Sequence, residues 1–194
     1  MKTGQQKQVR RFLIEEFGKG RGNTLFDRQD KLLGSIINNT KNKSKMQMAV
    51  LVHVILPSIA LYKTLSEEDL SEDSVYGCMQ KYMVEKVGRK MHSAMARMEI
   101  IPGFYSIYSH AFLKVMRVSD AHESTQNRGK DYFDVTITKC LWHTACEENG
   151  CAELCRLFCD ADNVTYGGLK KIDFTRTTTL GYGGDCCDFH FVRK

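Results

Sequence analysis

Ahead of Ser119, apolar residues recur at intervals of three and four, the spacing of helices that bury one face. Val9, Phe12, Leu13 and Phe17 make a short amphipathic segment closed by Gly18 and Gly20. Leu25 to Ile37 forms a second, with Leu32, Leu33, Ile36 and Ile37 on one stripe. Met46 to Tyr62 forms a third, kinked or split at Pro57, whose missing N–H cannot continue the ladder. Gln47, His53 and Pro57 interrupt this run, so it falls short of the ~20 apolar residues of a membrane span and reads as a buried or interfacial helix. Ser71 is placed to cap a fourth helix, with Glu72 and Asp73 in its first turn. Val75, Cys78, Met79, Tyr82, Met83, Val87, Met91 and Met95 then line one face up to Ile101-Pro102-Gly103. Phe104 to Val118 is apolar without a clear period, and Ser119 to Lys130 is polar and reads as a loop.

Beyond that loop the period falls to two. Phe133, Val135 and Ile137 alternate with Asp134, Thr136 and Thr138, the mark of a half-buried strand. Glu147 to Asp160 returns to helical spacing, with Asp162 at its frayed end. Ile172 and Phe174 belong to a strand running to about Thr179, Gly181 to Gly184 turn the chain, and Cys187, Phe189 and Phe191 alternate in a last strand. The pattern predicts an α+β fold: N-terminal helices packed on a C-terminal antiparallel or mixed sheet with β-α-β-β order. It is read as one domain over 1–194, mainly helical over 1–118, with its sheet part at 131–192.

Composition is ordinary for a globular chain of 194 residues. The net charge of +5 is uneven. Residues 1–63 hold 12 Lys/Arg against 4 Asp/Glu. Asn, Gln and Ser separate these cations, and no aromatic residue interleaves with Lys41, Lys43 and Lys45. They read as a solvated helical surface, so neither nucleic acid nor a membrane is expected as a partner. Met1 to Lys7 has a positive start without the apolar region of a secretory leader, so a cytoplasmic chain is expected. Phosphate-loop, dinucleotide, zinc-protease and serine-hydrolase motifs are absent, and Gly18-Lys19-Gly20-Arg21-Gly22 follows no strand.

The cysteines carry the chemistry. Seven of the eight lie between Cys140 and Cys187. In a cytosolic chain such a cluster points to reduced thiols, metal ligation or catalysis before disulfides. No C-x-x-C pair occurs, so the common structural zinc frameworks are not matched; no cofactor is expected, and a Cys/Asp-bound metal using Cys140, Cys159 and Cys187 stays open. Alternation puts Cys187 with Phe189 and Phe191, and Arg176 with Ile172 and Phe174, all facing inward. If the helix carrying Cys155 covers that face, then Cys159, Asp162, Arg176 and Cys187 converge at one edge. A buried arginine requires an anion. Asp162 serves, as does the carboxylate of a small-molecule substrate. Cys146, Cys151, Cys155 and Cys186 read as small apolar fillers. Asp188, His190 and Cys140 fall on the opposite strand face, and His143 and Glu147 are spaced to pair.

Residues 130–192 resemble the L-2-amino-thiazoline-4-carboxylic acid hydrolase family. The resemblance rests on Phe133-x-Val135-x6-Leu141-Trp142, Glu153-Leu154, Cys159-x-x-Asp162, and Phe174-x-Arg176-Thr177-x-Thr179-Leu180-x-x-Gly183-x-x-x-Cys187-Asp188-Phe189-x-Phe191. Cys140 matches the family's strand-end cysteine, Trp142 stands where a tyrosine is more usual, and Cys186 lies outside the pattern. The resemblance implies hydrolysis, at a carbon–nitrogen bond other than a peptide bond, of a cyclic amidine-like thiazoline carboxylate to a carbamoyl-cysteine. The site residues expected for it are Cys159, Asp162, Cys187, Asp188 and Cys140 for catalysis, with Arg176 and Thr179 on the substrate. The order of elements is also reminiscent of the 4-vinyl reductase type of domain, which binds a hydrophobic ligand without turning it over. A homo-oligomer fits either reading.

Overall fold

A computed structural model describes residues 4–194. Met1, Lys2 and Thr3, part of the stretch read for a leader, lie outside the described residues. The chain divides into two compact units, Met1–Tyr82 and Met83–Lys194.

The first unit is helical: α1 (Gly4–Phe17), α2 (Lys19–Asn39), α3 (Lys45–Val50), α4 (Leu56–Ser66) and α5 (Glu72–Gln80). A single residue, Gly18 at φ 77°, separates α1 from α2, so Gly20 and Gly22 lie inside a helix rather than in a loop. Gly22 is needed there, because a Cβ on it would stand 2.5 Å from the Leu13 carbonyl oxygen. The glycine-rich segment is thus a tight helical corner. Between α3 and α4 the chain takes a π-helical turn over Leu51–Ile55, which sets Pro57 in the first turn of α4. The expected break at Pro57 is thereby absorbed. Side chains occupy the disturbed carbonyls: Gln5 donates to Val54 O at 2.9 Å and Gln29 to Pro57 O at 3.0 Å. The stretch Lys45–Ser66 is longer than the sequence suggested, and by length and composition it could cross a membrane. Leu56, Ile59, Leu61 and Leu65 within it are buried, as in the core helix of a globular unit. Ser71 caps α5 as expected, accepting from the Ser74 N–H. The basic surface is exposed and partly paired, Arg28 reaching Glu67 and Glu68 and Arg21 reaching Glu68.

In the second unit α6 (Arg89–Met98) and α7 (Phe104–Val118) precede β1 (His122–Arg128), β2 (Tyr132–Cys140), α8 (Leu141–Glu148), α9 (Cys155–Tyr166), β3 (Ile172–Thr175) and β4 (Cys187–Arg193). The four strands form an antiparallel sheet in the order β1-β2-β4-β3. The chain is therefore α+β with its helices N-terminal, and a strand precedes the β-α-β-β order read from the pattern. That strand, β1, occupies much of the segment read as a loop. It is an edge strand, His-Glu-Ser-Thr-Gln-Asn-Arg, too polar to show an alternating apolar face. The helix expected over 147–160 is broken at Gly150, whose φ is 63°. As a result Asp162 sits within α9 instead of at a frayed end. The sheet's inner face packs on α7 around Phe191, whose ring stacks on Phe133 at 4.6 Å and meets Phe174, Phe112 and Tyr166 at 4.9 to 5.2 Å.

Candidate active site

Helix α9 supplies Cys155, Cys159 and Asp162 on successive turns, so they project from neighbouring positions of one face. Strand β4 begins at Cys187, whose inward orientation follows from its alternation with Phe189 and Phe191. After β3, residues 176–184 fold back over α9 through a short 3₁₀ turn at Leu180–Tyr182. Two glycines make this fold-back fit. Gly183 takes φ 84°, and Gly181 packs directly on the thiol, since a Cβ there would stand 2.8 Å from Cys159 Sγ.

Arg176 is drawn inward, its side chain only 6% exposed. Its guanidinium lies between the rings of Phe174 and Phe189, 5.9 and 5.8 Å from their centroids. Each such contact contributes about 0.5–2 kcal/mol. One nitrogen, Nη2, donates to the Cys159 carbonyl at 2.6 Å. The other, Nη1, is buried without a hydrogen-bond partner. Asp162 Oδ2 stands 3.9 Å from it, near enough for charge attraction and too far for a hydrogen bond.

The Cys159 sulfur receives hydrogen bonds from the Cys155 and Cys187 thiols and from the Thr179 hydroxyl. These donors, with the Arg176 charge, outweigh burial and lower its pKa far below the usual thiol value. The donors are driven the other way. Cys155 is raised by its bonds to Cys146 and Cys159, and Cys187 by its bond to Cys159 and by burial. Cys140, at the end of β2, is pushed up to about 11 chiefly by burial, although its sulfur accepts from the His143 and Trp142 amides. Cys159 is thus the thiol driven down, among neighbours that are driven up.

Asp162 is crowded by protein yet retains 36% of its side-chain surface. Burial pushes its carboxyl up to about 7; the Arg176 charge opposes the rise and the Cys159 charge adds to it. Beside Arg176 lies an open recess of about 500 Å³, walled also by Asp160, Asn163, Thr178, Thr179 and Tyr182. Its volume suits a small polar molecule.

Cys159, Asp162, Arg176, Thr179 and Cys187 therefore gather at one place, and Cys140 lies near enough for its charge to be felt by Cys187. Asp188 does not join them. Its carboxylate accepts the Thr177 hydroxyl at 2.6 Å and the Thr177 and Thr178 amides at 2.9 and 2.7 Å. Burial opposes its ionisation, but these bonds prevail and hold it below the usual carboxylate value. It anchors the residues that carry Arg176 and Thr179. Cys155 and Cys146, read as fillers, belong to the hydrogen-bonded thiol set. The four-residue interval from Cys155 to Cys159 was the signal for the first; Cys146 follows only from the fold. His143 and Glu147 pair at 3.3 Å on α8. Among the described residues no group of three or more His, Cys, Asp or Glu is arranged to hold a metal ion.

A model of the family described as L-2-amino-thiazoline-4-carboxylic acid hydrolase matches residues 48–191. That match extends well upstream of the segment on which the resemblance was read. No curated protein and no solved structure gives a significant match.

Proposed function

Because the chain belongs to the L-2-amino-thiazoline-4-carboxylic acid hydrolase family, we propose that it opens the ring of a 2-amino-thiazoline carboxylate by hydrolysis, with Cys159 as nucleophile. The observation that carries this reading is the Cys159 sulfur, which accepts three hydrogen bonds beside a buried guanidinium with a free Nη1. In such surroundings a thiol is ionised and competent to attack.

Arg176 Nη1 takes the substrate carboxylate, which places the amidine carbon against Cys159. The thiolate adds to the carbon between ring nitrogen and sulfur, and the carbon–sulfur bond breaks, in place of the carbon–nitrogen cleavage that the resemblance implied, because a thiolate leaves more readily than an amide nitrogen and only this cleavage leaves the carbamoyl group on nitrogen. The substrate's thiol is released, and its former amidine carbon remains on Cys159 as an isothiourea. Asp162, ionised above its raised pKa, removes a proton from water attacking that carbon. Cys159 departs as thiolate, again held by its donors, and the product is an N-carbamoyl-cysteine. Cys187 and Thr179 keep the sulfur in place in both steps, and Asp188 acts only through the loop it fastens. The polar walls of the recess favour this reading over storage of an apolar ligand.

The purified protein incubated with L-2-amino-thiazoline-4-carboxylate is expected to release one new thiol per substrate consumed, together with the carbamoyl product. Unchanged substrate and a co-purified apolar ligand would instead favour the binding-domain reading. Arg176→Lys keeps the charge and loses the planar fork. It is expected to raise KM roughly 10- to 100-fold, the equivalent of one hydrogen bond to a charged group, with a smaller change in kcat. Gly181→Ala pushes a methyl group onto Cys159 Sγ. The expected result is a loss of kcat/KM on the order of 10²-fold from misplaced sulfur, with the circular dichroism spectrum unchanged.

A further inference from the structure

All eight cysteines are free. Five of them form a line through the second unit: the Cys151 thiol donates to the Cys146 carbonyl at 3.5 Å, and the Cys146, Cys155, Cys159 and Cys187 thiols adjoin one another in turn. The line has a sealed end and an accessible end. Cys151 and Cys146 are 0% exposed and Cys155 2%, whereas Cys159 and Cys187 keep 8% and 5%. Thr179, which donates to Cys159, forms part of the recess wall. Cys159 is the most exposed of the five and lies directly behind Thr179, in contact with a second thiol.

We propose that Cys159 is a site of reversible oxidation by hydrogen peroxide, and that Cys187 is the thiol that closes a disulfide with it. The Cys159 thiolate attacks one peroxide oxygen, the O–O bond breaks, and the departing hydroxide takes a proton to leave as water. Sulfur gives up two electrons and becomes a sulfenic acid. The Cys187 sulfur then attacks the Cys159 sulfur, the S–O bond breaks, and a second water leaves with the Cys187 proton. Overall, two thiols lose two hydrogens and one peroxide becomes two waters.

Geometry selects Cys187 over Cys155. Residues at i and i+4 on a helix hold their Cβ atoms roughly 5–6 Å apart, while a disulfide needs about 3.5–4.5 Å. A Cys155–Cys159 link would deform α9. Cys187 comes from a different element, the start of β4, and one turn holds both sulfurs: the Leu180 N–H donates to Cys187 Sγ at 3.3 Å while Gly181 packs on Cys159 Sγ. The inner thiols, Cys155 and Cys146, remain reduced because peroxide does not reach them.

The test uses the reduced full chain treated with hydrogen peroxide, thiols counted after denaturation, and peptides mapped by mass spectrometry without reduction. The expected result is loss of two of the eight thiols, a single Cys159–Cys187 link, and full recovery with dithiothreitol. In Cys187→Ala, Cys159 is expected to be trapped as a sulfenic acid by dimedone, with no disulfide formed. Retention of all thiols, a link joining Cys155 to Cys159 or Cys146 to Cys151, or oxidation that spares Cys159 would overturn the proposal. The wild-type map decides even if the variant does not fold. Since the readout is thiol count and peptide mass, a chain with no hydrolytic turnover still answers, and the two proposals fail separately.

Discussion

Cys159→Ser is expected to lower kcat/KM for the thiazoline carboxylate on the order of 10⁴–10⁶-fold, the loss seen when a covalent nucleophile is removed. Serine keeps the shape, so the hydrogen bonds from Cys155, Cys187 and Thr179 still have an oxygen to meet. What disappears is the anion. The donors that ionise a thiol, with its ordinary pKa of about 8.5, are not enough to ionise an aliphatic hydroxyl. Substrate affinity should change little, because the Arg176 nitrogen that takes the carboxylate is untouched. Steady-state kinetics with a thiol-trapping dye would show the loss in kcat with KM nearly constant. A serine variant retaining a tenth of wild-type turnover would remove Cys159 from the covalent role.

The second large effect is expected at Asp162. As the base for water, it works only when ionised, and burial raises its pKa to about 7. In the wild type kcat should therefore fall as the pH drops through 7 and reach a plateau above it, while Cys159 stays ionised throughout this range because its own pKa is lowered. Asp162→Asn keeps the volume and loses the base. Its kcat should drop by roughly 10²–10⁴-fold, the usual contribution of a positioned acid or base, and the limb near pH 7 should vanish. Because the defect lies in the second step, the isothiourea should accumulate on Cys159 and appear as an added mass on the peptide carrying it. A variant that keeps the pH limb, or that stalls without any adduct, would assign the base elsewhere.

How far these features were legible in the sequence varies with the physics behind each. Strand β4 was read correctly because it is buried on one face, and alternation of Cys187, Phe189 and Phe191 reports that directly. Strand β1 was invisible for the converse reason: an edge strand with little buried surface needs no apolar alternation. The π-helical turn before Pro57 was equally hidden, since the compensation comes from Gln5 and Gln29, distant in sequence. At the site, the inward Arg176 and its nearness to Asp162 and Cys159 followed from periodicity and the family pattern. Which cysteine is ionised did not, because it depends on who donates to whom among touching thiols. The separation of Asp188 from the cluster was foreshadowed by its strand face. Its actual partners, the Thr177 and Thr178 amides, belong to a fold-back that no local pattern describes.

The central claim is that one thiol of eight, Cys159, is an anion at neutral pH, and ultraviolet thiolate absorbance of the native protein tests it without depending on substrate. Titrated downward from neutral pH, the wild type is expected to keep a thiolate band well below the ordinary thiol range, and Cys159→Ser to lack it. A band that appears in the wild type only near the ordinary thiol pKa, or that survives unchanged in the serine variant, would contradict the account.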